Sequence, residues 1–235
     1  MKKIKIKIFA DGANIDEIIN LNKISFIKGF TTNPSLMKKS GIKDYKNFAK
    51  AVLTEVKNKP ISFEVIADKI SEMERQAYEI ATWGKNINVK IPMINSKGKY
   101  TDRLVAKLLK DGISCNVTAI FKISDINRVL RHGIRKTPLI LSVFAGRIAD
   151  TGQDPAKLIK DSVKCSKKYK NVEILWASTR EVLNIFQAEN YGCHIITVPN
   201  NILTKLKFLG YSTSNLQIDT VKQFYKDAIS SKFKI

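Results

Sequence analysis

The sequence predicts an α/β protein of one domain, a (β/α)8 or TIM barrel with an extra C-terminal helix. Three observations carry that reading. Short runs rich in Ile, Val and Phe alternate with longer amphipathic stretches. The alternation repeats eight times in about 200 residues, the grammar of parallel strands joined by helical crossovers. No Gly/Ser/Pro-rich linker divides it, so residues 1–210 read as the barrel and 211–235 as a helical extension of the same domain. An open doubly wound sheet is the alternative, because periodicity does not report closure.

The first strand is expected over residues 4–11. The opening "MKKIKIKIF" alternates Lys and Ile without a continuous apolar stretch, a strand pattern rather than a signal peptide. Strands follow at "FIKGFTTN" (26–33), "ISFEVI" (61–66), "INVKIP" (87–92), "ISCNVTAI" (113–120), "PLILSVFA" (138–145), "VEILWAS" (172–178) and "CHIITVP" (193–199). Between them, residues 44–57, 68–83, 101–112 and 154–169 have helical patterns. Thr101 or Ser124 can cap a helix start, and Gly112 and Gly133 follow helix ends. Residues 216–230 form a further amphipathic helix outside the eightfold count, suited to packing on a neighbouring subunit.

Composition excludes several classes. An apolar fraction of 44% with 26% charged residues is that of a globular chain rather than a disordered one. The longest apolar runs fall far short of the roughly 20 residues a membrane span needs, so no membrane partner is expected. Three widely spaced cysteines and two histidines supply neither a disulfide framework nor a zinc site, which fits a reducing cytoplasm and no metal. The net charge of +20 suits either nucleic acid or phosphorylated substrates. The lysines are scattered, however, and the densest run, Lys164 to Lys170, sits at a helix end where cations are favoured. No basic stripe is interleaved with aromatics, so no specific nucleic-acid partner is expected. A non-catalytic basic barrel that binds nucleic acid remains the reading from another class.

In such a barrel the active site lies at the carboxyl ends of the strands, and residues two apart share a face. Strand one ends at Asp11. Strand two places Thr31 and Asn33 on one face, strand three carries Glu64, and strand four carries Lys90. Strand five offers Asn116 and Thr118, strand six Ser142 and Phe144 with Arg147 close behind, and strand seven Ser178 followed by Arg180. Singly, each has a bland explanation: Asp11 in "DGAN" can cap a helix, Asn33 before Pro34 can start one, and Phe144 can be core. Seven consecutive strands ending this way are hard to explain as core, since a buried polar group without a partner costs about 1–3 kcal/mol.

Together these groups make a chemical inventory. Burial disfavours the charged form of an amine, which would free Lys90 to attack a ketone and form a Schiff base. Glu64 with Thr118 can position a water that shuttles protons, and Asp11 can take a hydroxyl proton as a carbon–carbon bond breaks. Arg147, Arg180 and Ser178 suit a phosphate.

The segments "DGAN", "GFTTNPSL", "FEV", "VKIPM", "NVTAIF", "SVFAGRIAD", "WASTR" and "ITVP" resemble, in order, the signatures of the transaldolase family, especially its short members. The resemblance runs from about Asp11 to Leu206. It implies a (β/α)8 barrel whose Schiff-base lysine is Lys90, with Asp11 as general acid/base and Glu64 and Thr118 handling the catalytic water. It further implies that Asn33, Asn116 and Ser142 hold a dihydroxyacetone unit, with Arg147, Ser178 and Arg180 on the phosphate. The implied reaction passes that unit between phosphorylated sugars, such as fructose 6-phosphate and erythrose 4-phosphate, with no cofactor. Related aldolases release free dihydroxyacetone instead, and they typically carry Gln at the position of Glu64 and Tyr at that of Phe144. Glu64 with Phe144 thus favours the transferase, and the aldolase is the alternative. Short members assemble as stacked pentameric rings, implying a homo-oligomer, a pentamer or decamer, with the C-terminal helix on a neighbour.

Overall fold

The computed structural model describes residues 4–133 and 136–232, so residues 1–3 and 233–235 of the expected domain ranges lie outside it. Eight strands form a closed parallel barrel in chain order: β1 (Lys7–Asp11), β2 (Ile27–Thr31), β3 (Ile61–Glu64), β4 (Ile87–Pro92), β5 (Cys115–Ile120), β6 (Leu139–Val143), β7 (Val172–Trp176) and β8 (Ile195–Pro199). Closure rests on β1 pairing with both β2 and β8, which excludes the open sheet. The helices are α1 (Ile15–Asn22), α2 (Pro34–Lys39), α3 (Tyr45–Glu55), α4 (Ile70–Ala81), α5 (Asp102–Lys110) and α6 (Ile123–Leu130). They continue with α7 (Ala145–Ala149), α8 (Ala156–Ser166), α9 (Leu183–Asn190), α10 (Asn200–Leu203) and α11 (Thr213–Ser231).

Two local expectations need correction. The first strand starts at Lys7 rather than residue 4, because the amides of Lys5 and Ile6 donate to the Glu189 carboxylate at 2.8 and 3.3 Å. Ser124 is not a cap, since α6 begins at Ile123 and Lys122 precedes it without a side-chain cap bond. Thr101 does stand before α5, but its hydroxyl donates to the Pro92 carbonyl at 2.6 Å and ties the helix start to β4. Gly112 and Gly133 close α5 and α6 at φ +81° and +72°, as a helix terminus of this kind requires.

Two layers of apolar packing hold the barrel. The larger lies between strands and helices, with Ile27, Val89, Val117, Leu141 and Ile174 fully buried on the outer strand faces. A smaller, separate cluster of Phe9, Ile140, Leu175, Ala177 and Ile195, with Phe144 packed against it, fills the interior. Phe9 fits only because β2 carries Gly29 opposite it, where an added Cβ would meet the ring at 2.6 Å. The strand register then decides what stands beside this plug. Asp11 pairs with Thr31, Thr31 with Ser62, Glu64 with Lys90, Lys90 with Asn116, and Pro92 with Thr118. Partners across a ladder share a face, so the polar residues of five strands enter the barrel together.

Candidate active site

A cavity of about 280 Å³ opens above the Phe9 layer, at the carboxyl ends of the strands. Asp11, Asn33, Lys90, Asn116, Thr118, Ser142, Phe144, Arg147, Ser178 and Arg180 all line it. Glu64 does not, yet its Oε2 lies 2.9 Å from Lys90 Nζ.

Lys90 is only 6% exposed, so its amine is desolvated as the sequence suggests. It is not unpartnered. Nζ also donates to the Thr32 carbonyl at 2.8 Å, and the pair with Glu64 was not anticipated from sequence, which matched Glu64 with Thr118. Glu64 is anchored in turn by the Tyr45 hydroxyl, which donates to the Glu64 carbonyl at 2.9 Å. Burial pushes that phenol above its ordinary pKa. Thr118 Oγ1 is buried and makes no hydrogen bond among the described residues. A hydroxyl in that condition at a cavity wall is available to whatever enters.

Asp11 has a different environment. Burial pushes its carboxyl above the usual range, and the nearby Glu64 charge acts the same way. Lys90 and a 2.7 Å hydrogen bond from Thr31 Oγ1 oppose them. On the other wall, Ser142 Oγ donates to Asn116 Oδ1 at 2.6 Å, and Asn116 Nδ2 donates to Ser62 Oγ at 3.0 Å. This chain fixes the Asn116 amide so that O and N face known directions. Asn33 caps α2, its Oδ1 accepting from the Leu36 amide at 2.9 Å, and the residue also lines the cavity.

At the mouth, Arg180 engages Asp150 through two nitrogens, with Nε 3.1 Å from Oδ1 and Nη2 against Oδ2. That bond to Arg180 holds Asp150 below the usual carboxylate range. Arg147 makes no salt bridge among the described residues, and its guanidinium stands 5.1 Å from the Phe144 ring centroid. Ser178 sits at φ +65°, a left-handed conformation costing about 1–2 kcal/mol in a non-glycine residue. Its carbonyl passes so close to α7 that a Cβ at Gly146 would lie 1.5 Å from the oxygen. The glycine of "AGRIA" is therefore what lets Arg147 and Ser178 share one wall.

Sequence reasoning assigned no role to Ser62, Thr197, Tyr45 or Asp150. The period-two rule that found Asn116 and Thr118 also reaches Ser62, two before Glu64, and Thr197, two before Pro199. Tyr45 begins α3 and Asp150 follows the end of α7, and no local pattern marks either. Among the described residues no group of three or more His, Cys, Asp and Glu side chains could hold a metal ion.

Comparison with known proteins bears on this site. Residues 8–235 match the family model described as Transaldolase/Fructose-6-phosphate aldolase. The chain is 36% identical over 224 residues to a "Probable transaldolase" of Thermoanaerobacter sp. (strain X514), covering 95% of this chain and 98% of that protein. It is 33% identical over 228 residues to a "Probable transaldolase" of Streptococcus equi subsp. zooepidemicus (strain MGCS10565), covering 97% and 100%. A solved structure, "a putative phosphonomutase from Burkholderia cenocepacia J2315", aligns with a TM-score of 0.58 at 9% identity over 93% of this chain and 94% of that one, a likeness of fold alone.

Proposed function

The chain belongs to the transaldolase/fructose-6-phosphate aldolase family, and on that premise we propose that it is a transaldolase working through a Schiff base on Lys90. Its donor would be a ketose phosphate, fructose 6-phosphate or sedoheptulose 7-phosphate. Its acceptor would be an aldose phosphate, erythrose 4-phosphate or glyceraldehyde 3-phosphate, as in the pentose phosphate pathway. The observation that carries the reading is the buried Lys90 amine at the cavity wall with a carboxylate 2.9 Å away.

The geometry supports the following steps. Glu64 takes a proton from the Lys90 ammonium, and the neutral amine attacks the ketone carbon. The carbinolamine loses its hydroxyl as water, with Thr118 and Glu64 guiding the protons, and leaves an iminium ion. Asp11 then takes the proton of the hydroxyl on the beta carbon, one beyond the carbon next to the iminium, so that this beta carbon becomes the departing aldehyde. The carbon–carbon bond breaks, the aldose phosphate departs, and the electron pair enters the enamine. Addition of the enamine to a new aldehyde reverses these events, and water returns the free lysine. Asn33, Asn116 and Ser142 hold the hydroxyls of the three-carbon unit, with Phe144 closing the wall beside them. Arg147, Ser178 and Arg180 receive the phosphate. Asp150 already neutralises part of Arg180, whereas Arg147 makes no salt bridge among the described residues, so Arg147 is the principal cation for the phosphate.

Glu64 and Phe144 favour transfer over release of free dihydroxyacetone, and the aldolase is the second reading. Cytoplasmic location and assembly into a homo-oligomer through α11 belong to the same proposal. Among the described residues no helix is long and apolar enough to cross a membrane. The test is release of glyceraldehyde 3-phosphate from fructose 6-phosphate with and without erythrose 4-phosphate. Sustained release only with the acceptor supports the transferase, whereas equal release without it makes the protein an aldolase.

A further inference from the structure

We propose that Thr197 on β8 is a positioning residue for Asp11, acting through the hydroxyl of Thr31. The three groups form a chain across the interior of the barrel. Thr197 Oγ1 lies 2.5 Å from Thr31 Oγ1, and Thr31 Oγ1 lies 2.7 Å from Asp11 Oδ1. Each hydroxyl has one proton to donate. Asp11 as a carboxylate can only accept, so Thr31 donates to it, and the proton between the two threonines is then that of Thr197. The chain thus has one direction, β8 to β2 to β1.

Its members sit in the cavity wall with little of their surface exposed. Thr31 is 3% exposed and Thr197 5%. The Thr197 carbonyl accepts from Thr179 Oγ1 at 2.7 Å, which ties its strand to the segment after β7. Register sets the reach: Asp11 pairs with Thr31 on one side and Pro199 on the other, and Thr197 stands two residues before Pro199 on the same face.

The consequence is specific to Asp11. The charged groups acting on its carboxyl are Lys90 from β4 and Glu64 from β3, and β2 and β8 offer only neutral hydroxyls. Among hydrogen bonds, the one from Thr31 favours its ionised form. A hydroxyl that itself accepts a bond is polarised and donates more strongly. It is also oriented: without the donor on β8, Thr31 is free to turn its proton toward a backbone carbonyl. Thr197 therefore keeps the Thr31 proton directed at Asp11 Oδ1 and holds the carboxylate in its ionised, proton-accepting form. This role rests on Asp11 being the proton carrier of the proposed reaction.

Thr197→Val keeps shape and strand preference while removing the donor, and Thr197→Ser restores it. In the intact protein, carbon-13 NMR of the aspartate carboxyls, with Asp11→Asn to assign the resonance, should show the Asp11 midpoint raised in Thr197→Val and restored in Thr197→Ser. Thr31→Val should raise it as well, and the Thr31→Val/Thr197→Val pair should go no further than Thr31→Val alone, because one path carries both effects. In turnover, kcat should fall about 3- to 10-fold with little change in KM, the yield of one hydrogen bond, and the acid limb of the pH profile should move upward. An unshifted midpoint in Thr197→Val, or additive shifts in the double variant, overturns the relay. The titration uses no substrate, so a wild-type protein inert toward fructose 6-phosphate would overturn the proposed reaction while the NMR still judges the relay.

Discussion

Lys90 and Asp11 meet burial in opposite ways. The lysine has a carboxylate at 2.9 Å and a carbonyl at 2.8 Å, whereas the aspartate has a single hydroxyl bond at 2.7 Å. Its carboxyl is pushed above the ordinary range chiefly by burial, so the folded chain binds that proton more tightly than the unfolded one does. The associated stability is present below the unfolded carboxyl pKa and is lost as pH rises through the folded one. Asp11→Asn removes the charge, and at pH 7 it should raise the melting temperature by about 2–4 °C, on the order of 1 kcal/mol, while abolishing turnover. The gain should shrink as pH falls toward 4; a lower melting temperature at pH 7 would contradict the assignment. At this scale the sequence was most readable where period two governs, from Asp11 through Ser178. It was silent on Asp150, whose contact with Arg180 spans 30 residues, and on the Lys90–Glu64 pair, which depends on register between neighbouring strands.

Strands were readable from their apolar runs to within a few residues, because both faces of a parallel strand are buried and the runs stay apolar. Their ends were less so: Glu189 captured the amides expected to extend β1, and β7 ends at Trp176, with Ala177 still donating to the Val143 carbonyl at 2.8 Å and Ser178 turning away at φ +65°. Helix α11 is the clearest element-scale case. Its pattern was apparent in sequence, yet none of its residues is buried in the single chain. Ile218, Val221, Phe224, Tyr225 and Ile229 are each more than half exposed and fall on one stripe at helical spacing. Such a stripe suits a second copy of the chain, in keeping with the proposed assembly. Removing residues 213–235 should leave the barrel folded by circular dichroism and convert an oligomer to a monomer by sedimentation velocity. An unchanged sedimentation coefficient per chain mass, or a wild-type monomer, would contradict that role for α11.

For the whole molecule, closure was inferred from the number of units and is borne out by β1 pairing with β8. The interior then divides into a plug and a cavity: Phe9, Ile140, Leu175 and Ile195 fill one end, and polar side chains crown the other. The excess positive charge is spread along the chain, and at the cavity it takes the form of Arg147 and Arg180, which flank the proposed phosphate position. The proposed reaction depends on Lys90 forming the covalent intermediate. The most direct measurement is borohydride reduction in the presence of fructose 6-phosphate, followed by peptide mass spectrometry. A three-carbon adduct on the peptide containing Lys90, absent without the sugar and absent in Lys90→Ala, is the predicted result. An adduct on another lysine, or undiminished turnover in Lys90→Ala, would contradict it.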